Sequence, residues 1–553
     1  MPRLPSSGSG ISGALFSLIP VIAAALWFPE LAGQAQNVPD AGAEKPPVLL
    51  SGLGSHSHRI STQKSDAQKF FDQGLTLLFG FNRYEARRSF RRAAELDPSA
   101  AMPHWGVAMA LGPHLNMDFD GDVDMAKSCE AVRDAQALVQ NASERERVYI
   151  EAASVRCPEY RQEAYQKAMH ALAGRYPDDL DAATLYAESL LMPARWKWWT
   201  PDGAPAPGVE EALSILESVM RRELDHPGAN HFYIHAVEMS PSPERAIPSA
   251  QRLMSAVPSA GHLVHMPGHI WLRIGQYELS AEVNVHAAAL DEEYMQITGV
   301  PRGVYYGNYY LHNLHFIAYN RCMEGRMADS LASAQKISDA AAPLTQQMPM
   351  MADAFGLWPM FARLRFGQWD QVLEIKEPDA KLVASTAMWH FGRGMALAAR
   401  GKREEALKER GAFESARREV PHDWQWQLND AAHVLNVASA VLEARLAEND
   451  AVALALWQKA VDAQDALSYD EPPSWFYPVR ESQGGALLRT GHAPEAEAAF
   501  REGLRRNPRD GRLLFGLMES LRAQGKTEAA GMVRIEFEEA WKNADVTLSV
   551  EDL

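Results

Sequence analysis

His231 and His235 stand four residues apart, and the same pair returns 34 residues later as His265 and His269. His262 and His265, three apart, return 50 residues on as His312 and His315, one period of 34 plus a 16-residue insertion. On an α-helix, steps of three, four and seven come back to one face. His231, His235 and Glu238 therefore share a face, as do His262, His265 and His269, and His312 with His315. Neutral imidazole is the commonest protein ligand for transition metals, and helices hold ligand geometry more rigidly than loops. These eight residues form the candidate metal set. The alternative for any one histidine is a hydrogen-bonded core residue. Seven in register, without a metal, would need many mutually satisfied polar groups in a buried groove, which is costly.

The ligand types narrow the metal. All-imidazole ligation suits copper, and six helical histidines match the ligand count of a type-3 dicopper site. A His/His/Glu set suits zinc, or iron with a carboxylate in a facial arrangement. Copper and zinc stand ahead of iron. Glu238 has four readings: ligand, general base, orienting partner, or a plain repeat-surface carboxylate. The sequence assigns no catalytic residue.

A repeated helical unit must position this set. From Asp66 onward the apolar pattern is helical and strand-like alternation is absent. Gln73-Gly74 through Tyr84-Glu85-Ala86, Ala93-Ala94 and Leu96-Asp97-Pro98 resembles a tetratricopeptide repeat unit, as does Gly484-Gly485 through Gly491, Ala496, Phe500 and Asn507-Pro508. The resemblance covers most of residues 66–540. It implies an all-α, TPR-like helix-turn-helix superhelical solenoid, with turns near Pro241, Gly275, Gly325, Gly367 and Gly401. It also implies that three consecutive units present their histidines to one concave groove, where a small molecule or a peptide binds. Pro267 interrupts the pattern between His265 and His269: the helix either kinks there or begins near Met266-Pro267 with His262 and His265 in the preceding loop.

The organisation read from the sequence is a signal peptide over 1–35, a linker over 36–65 rich in Pro, Gly, Ser and Ala, and a solenoid over 66–553 with its histidine-rich units at 226–320. Arg3, the apolar run Ile11 to Trp27 and the small residues up to Ala35 have the order of a secretory signal; an uncleaved anchor is the alternative. No later segment is apolar enough to cross a bilayer, so the expectation is a periplasmic or secreted protein without a stable membrane anchor after cleavage. Net charge is −17 with no basic run, which argues against nucleic acid. Of three cysteines, Cys129 and Cys157 either pair, leaving Cys322 odd, or all three are buried thiols.

Lesser candidates are His56 and His58 in the linker, His104, His114 and His390, the tyrosines 305, 306, 309 and 310, the tryptophans 196, 198 and 199, and Arg480-Glu481; for the aromatics, core packing is the alternative. Gly525-Lys526-Thr527 lacks the upstream glycine of a phosphate loop and falls where a repeat turn belongs. Two functions compete. One is an exported metalloprotein with one or two transition metals in the groove, acting as an oxidoreductase with copper or iron or as a hydrolase with zinc. The other is a non-catalytic periplasmic scaffold that binds peptide or protein partners.

Overall fold

A computed structural model describes residues 45–116 and 123–553. The expected signal peptide over 1–35 and the first part of the expected linker lie outside the described residues. The described chain is a run of α-helices packed pairwise in sequence order, with a single two-stranded ribbon at Gln425–Trp426 and Asn429–Asp430. It is an all-α solenoid of stacked helical hairpins.

The stacking rests on small residues facing large rings. Phe90 lies between Gly74 and Gly106, and Phe500 between Gly484 and Gly516, the glycines spaced 16 residues to either side in both cases. A Cβ at Gly106 would sit 2.4 Å from the Phe90 ring, and one at Gly516 2.2 Å from Phe500. Neighbouring helices thus approach as closely as backbones allow. Glycines in the left-handed region close the turns, as at Gly275 (φ 74°) and at Gly525 (φ 71°), where the apparent phosphate-loop sequence is an ordinary hairpin turn.

Six helices carry the site. They are α1 (Ser65–Phe79), α2 (Pro227–Glu238), α3 (Gly261–His265), α4 (Pro267–Arg273), α5 (Tyr277–Thr298) and α6 (Leu311–Met323). Pro267 stands at the first position of α4, where its missing N–H is harmless, so the chain breaks at Met266 and restarts. Pro359 makes the same break between Pro349–Gly356 and Trp358–Arg365. The two largest apolar cores meet at α3–α4, with Ile270 in one and Leu272 in the other.

The superhelix closes on itself. Gly80 and Phe81, after α1, pack on Leu263 of α3 and Phe232 of α2. The last repeats return to α5, where Tyr277 Oη donates to the Pro508 carbonyl at 3.1 Å. Residues 45–64 are a strap laid over the first repeats, with Leu53 and Ile60 buried. The Leu50 amide donates to Gln73 Oε1 at 2.7 Å and the Ser259 amide to the Gly52 carbonyl at 3.0 Å.

His56 and His58 pin the strap. His56 Nε2 lies 2.9 Å from Asp181 Oδ1 and its Nδ1 3.3 Å from Glu223, while His58 Nδ1 lies 2.7 Å from Asp181 Oδ2. His226 reaches the same Asp181 at 3.2 Å, and its Nδ1 caps α2 by accepting from the Ala229 amide. Burial disfavours charge on His56, but hydrogen bonds to Asp181 and Glu223 outweigh it and raise the imidazole to about 10. His58 is raised by Asp181 against the same burial penalty. Cys129 and Cys157 form a disulfide; Cys322 is a buried free thiol. No described helix is long and apolar enough to cross a membrane.

Gly516→Val drives a side chain into Phe500 and lowers stability by about 1–3 kcal/mol. Gly531→Ala, at a helical position with open space, raises it by up to about 1 kcal/mol; urea midpoints of the two variants check both signs. A folded-state histidine held above its unfolded value of 6.5 contributes fully below that pH, and its contribution disappears as pH rises through about 10. The urea midpoint therefore declines more steeply across that window in the native chain than in Asp181→Asn; parallel declines contradict the strap pairing.

Candidate metal centre

Six of the predicted histidines form one contiguous row of rings. From His231 the centroid distances run 4.8 Å to His235 and 5.0 Å to His262, then 5.4 Å from His262 to His265, 4.6 Å to His269 and 4.8 Å from His265 to His312. The row divides into two triads. His231, His235 and His262 bring one nitrogen each within 4.8 Å of one another, and so do His265, His269 and His312. Each triad is an i, i+4 pair on one helical stretch plus a third imidazole from another. The first five are buried and His312 is half-buried, so the set is walled in rather than spread along an open groove.

Hydrogen bonding fixes which nitrogen each ring offers. His231 Nδ1 donates to the Phe79 carbonyl at 2.5 Å, His235 Nδ1 to Glu238 Oε1 at 3.1 Å, and His265 Nδ1 to Asn284 Oδ1 at 2.6 Å. His269 Nδ1 lies 2.7 Å from Glu238 Oε2 and 2.9 Å from Glu471 Oε2, as an ion pair rather than an aligned hydrogen bond. His231, His235 and His265 are thereby turned so that Nε2 carries the lone pair. The Nε2 atoms of His231 and His235, and both nitrogens of His262, have no hydrogen-bond partner. A buried polar atom left this way costs about 1–3 kcal/mol. An imidazole tied through one nitrogen to an oxygen acceptor and bare at the other is the arrangement of a metal ligand.

Charge agrees with that role. Burial pushes His231, His262, His265 and His312 well below the ordinary histidine value, helped by neighbouring imidazoles, and lowers His235 despite Glu238. These rings are neutral. His269 is the exception: burial pulls it down, and Glu238 with Glu471 more than reverses this, raising it to about 10. Its Nε2–H then donates to His265 Nε2 at 2.7 Å. A cation between those two nitrogens would take the place of that proton.

Glu238 serves both triads, since its two oxygens face His235 and His269. His315 lies apart. Its ring packs on Trp358 at 4.6 Å, and Gln427 Nε2 donates to its Nδ1 at 3.2 Å. His114 packs on Phe81, His104 faces Asp134 and His390 pairs with Glu409. Among the tyrosines, Tyr309 sets its ring edge-on to His262 at 4.7 Å, delivered by a π-helical turn, Tyr306–Tyr310, that leads into α6. Trp196 does the same to His235 at 5.6 Å. Arg480 pairs with Asp465 and Glu481 with Arg365, both away from the row.

Several participants were not singled out from the sequence as part of the site. Glu471 arrives from a distant loop, Asn284 from α5, and Phe81 from the turn after α1, its ring 4.4 Å from His231 and 5.7 Å from His235. Phe81 (φ 57°), Trp196 (φ 57°) and Gln427 (φ 58°) are non-glycine residues in the left-handed region, and all three touch a histidine of the predicted set. Backbone strain of this kind costs on the order of 1 kcal/mol and collects at functional sites. The unusual Glu471-Pro472-Pro473 run was the one sequence signal for Glu471.

Neither a family model nor a curated protein matches this chain. Among solved structures, its course of helices is similar to the human IFIT1 dimer with PPP-AAAA, at 11% identity and a TM-score of 0.32, covering 88% of this chain and 92% of that one. It is similar to yeast Tom70 at 12% identity and a TM-score of 0.31, covering 86% and 90%. A third is the P58(IPK) TPR domain, at 11% identity and a TM-score of 0.20, covering 84% and 99%. Likeness at this level carries nothing about the histidine row.

Nitrogen NMR of the metal-free chain with labelled histidine tests the anchoring. His231, His235 and His265 should each show the Nδ1–H tautomer; Nε2–H signals at these residues would contradict it.

Proposed function

We propose that this chain is an exported metalloprotein whose two trihistidine sets hold a pair of transition-metal ions, used to oxidise a small molecule. One observation carries the reading: two separate i, i+4 pairs, each completed by a third imidazole, bring their ring nitrogens together at two adjacent points. His231, His235 and His262 would hold one ion, and His265, His269 and His312 the other. Imidazoles as the sole inner ligands, with His269 giving up its proton to the ion, favour copper, with zinc as the alternative and iron behind. When bound, a copper pair supplies one-electron redox at each ion and with it the reduction of dioxygen.

The chain's own groups have separable duties. Glu238 orients His235 and His269 together, and this commitment favours a positioning role over that of a hydrolytic base. Glu471 and Asn284 do the same for His269 and His265. Phe81, Trp196 and Tyr309 exclude water from the first triad, while half-buried His312 leaves the second more accessible. Export to an oxidising compartment is supported by the Cys129–Cys157 bridge and by the order of the N-terminal residues.

A second reading, a non-catalytic scaffold for a peptide or protein, is favoured by a groove of about 650 Å³ outside the row, bordered by Gln335, Arg363, Glu374 and Lys376. Metal content separates the two. The purified chain should carry two ions, His262→Ala and His312→Ala should each lose one, and His315→Ala should keep both. Glu238→Gln should weaken retention about 10–100-fold in a chelator competition. Absence of stoichiometric metal, or full occupancy in the His262→Ala/His312→Ala double variant, overturns the proposal.

A further inference from the structure

A cavity backs onto the histidine row from the side of Glu471. About 180 Å³ of space lies between the end of α4, the start of α5, Tyr319 of α6 and the loop that delivers Glu471 to His269. Leu272, Leu467, Pro473 and Trp475 supply its apolar wall.

Most polar groups on this wall are already used within the protein. Gln464 Nε2 donates to the Tyr477 carbonyl at 2.9 Å, and its Oε1 accepts from the Val479 amide at 2.8 Å. Tyr277 Oη donates to the Pro508 carbonyl at 3.1 Å and Asn507 Nδ2 to the Gly503 carbonyl at 3.3 Å. Both acids are engaged as well. Asp470 accepts from the Leu428 amide at 3.2 Å and from Ser474 Oγ, while Glu471 accepts from Tyr469 Oη and faces His269. Burial raises Asp470 to about 7, which thins the negative charge on the wall. Arg506 is exposed and pairs with Asp465 and Glu502. Trp475 Nε1 is unpartnered but has no accessible surface.

Free donors remain on three of the side chains. Arg273 commits Nε to the Glu238 carbonyl at 2.9 Å, and its Nη1 and Nη2 have no hydrogen-bond partner among the described residues. Tyr319, only 2% exposed, has a hydroxyl with no partner among them, and so does Ser468, exposed at the mouth. A ligand that suits this wall must therefore bring acceptors.

We propose that this cavity binds a small monocarboxylate of about single-ring size, its carboxylate held by the Arg273 Nη pair and the Tyr319 hydroxyl. A guanidinium fork matches a carboxylate through two parallel bonds, which a neutral carbonyl cannot reproduce. The size follows from volume, since a cavity of about 150 Å³ takes a benzene ring. Two groups on the wall of so small a space can meet one ligand, and the apolar wall supplies the rest of its affinity. None of the three donor side chains belongs to the eight predicted metal ligands, so the site stands apart from the metal reading.

Isothermal titration of the full chain with benzoate, and separately with benzamide, tests this. Benzoate should bind saturably at one site, and benzamide at least about tenfold more weakly. Tyr319→Phe removes one hydroxyl at nearly constant shape, and Arg273→Lys keeps the charge but loses the fork. Each should weaken benzoate at least about tenfold. Ser468→Trp, at an exposed position, closes the mouth and should do the same with the melting temperature unchanged. It covers the case in which a buried variant disturbs folding. No saturable benzoate binding, equal binding of benzamide, or undiminished binding in Ser468→Trp overturns the site. Metal content enters none of these outcomes, so a chain that holds no metal and binds benzoate as described keeps the site and loses only the metal reading.

Discussion

A neutral imidazole buried away from water has one proton to place and one lone pair to leave somewhere. That constraint governs the middle of this protein. Phe79, Glu238, Asn284 and Glu471 each take up the Nδ1 side of a ring, and they come from four different parts of the chain. The lone pairs this frees converge in two places. Much else in the fold serves the convergence: the superhelix must close for the Phe79 carbonyl to reach α2, α3 must break from α4 at Met266, and a loop near the C-terminal repeats must return far enough to bring Glu471 to His269.

Electrostatics sharpen the division of labour. Five of the six rings are driven neutral by burial and by one another, which is the protonation state a metal ligand needs. His269 is held cationic by two buried carboxylates. His269 and Arg273, whose Nε lies 3.7 Å from Glu471, together offset the two carboxylates, and burial raises Glu471 towards its neutral form. A bound cation would satisfy the unpartnered nitrogens. The same residue types behave differently at the strap, where His56, His58 and His226 all pair with Asp181.

Much of this was legible in the sequence because the helical repeat imposes a period on the residues it aligns. The 34-residue echo located the i, i+4 pairs, and the pattern of small residues ending in proline in the clear outer units marked the hairpins. The reading was weaker where one helical step had to be converted into a direction. His312 and His315 differ by three residues, about 60° around a helix, and that angle separates a ring in the row from one on Trp358. Pro267 left two geometries open, and the structure lies between them: His262 and His265 sit on a helix rather than a loop, and that helix breaks at Met266 and restarts at the proline. Glu471 and Asn284 were less legible because they obey no shared period with the histidines. Phe81 and Trp196 owe their positions to backbone conformations that residue type does not announce. The strap was read as a loose linker because its composition is that of a loop; what orders it is a handful of side-chain bonds to distant repeats.

A solenoid is ordinarily a spring, since each coil touches only its neighbours and a stretch at one end is absorbed locally. Here the closure around α2 to α4 welds several coils together, from the turn after the first helix to the loop holding Glu471. The separation of the two triads is therefore tied to the pitch of the whole coil. Tension or compression applied near either terminus is transmitted to the imidazoles, so this protein is mechanically a stiff frame around its centre and only towards its edges a flexible array.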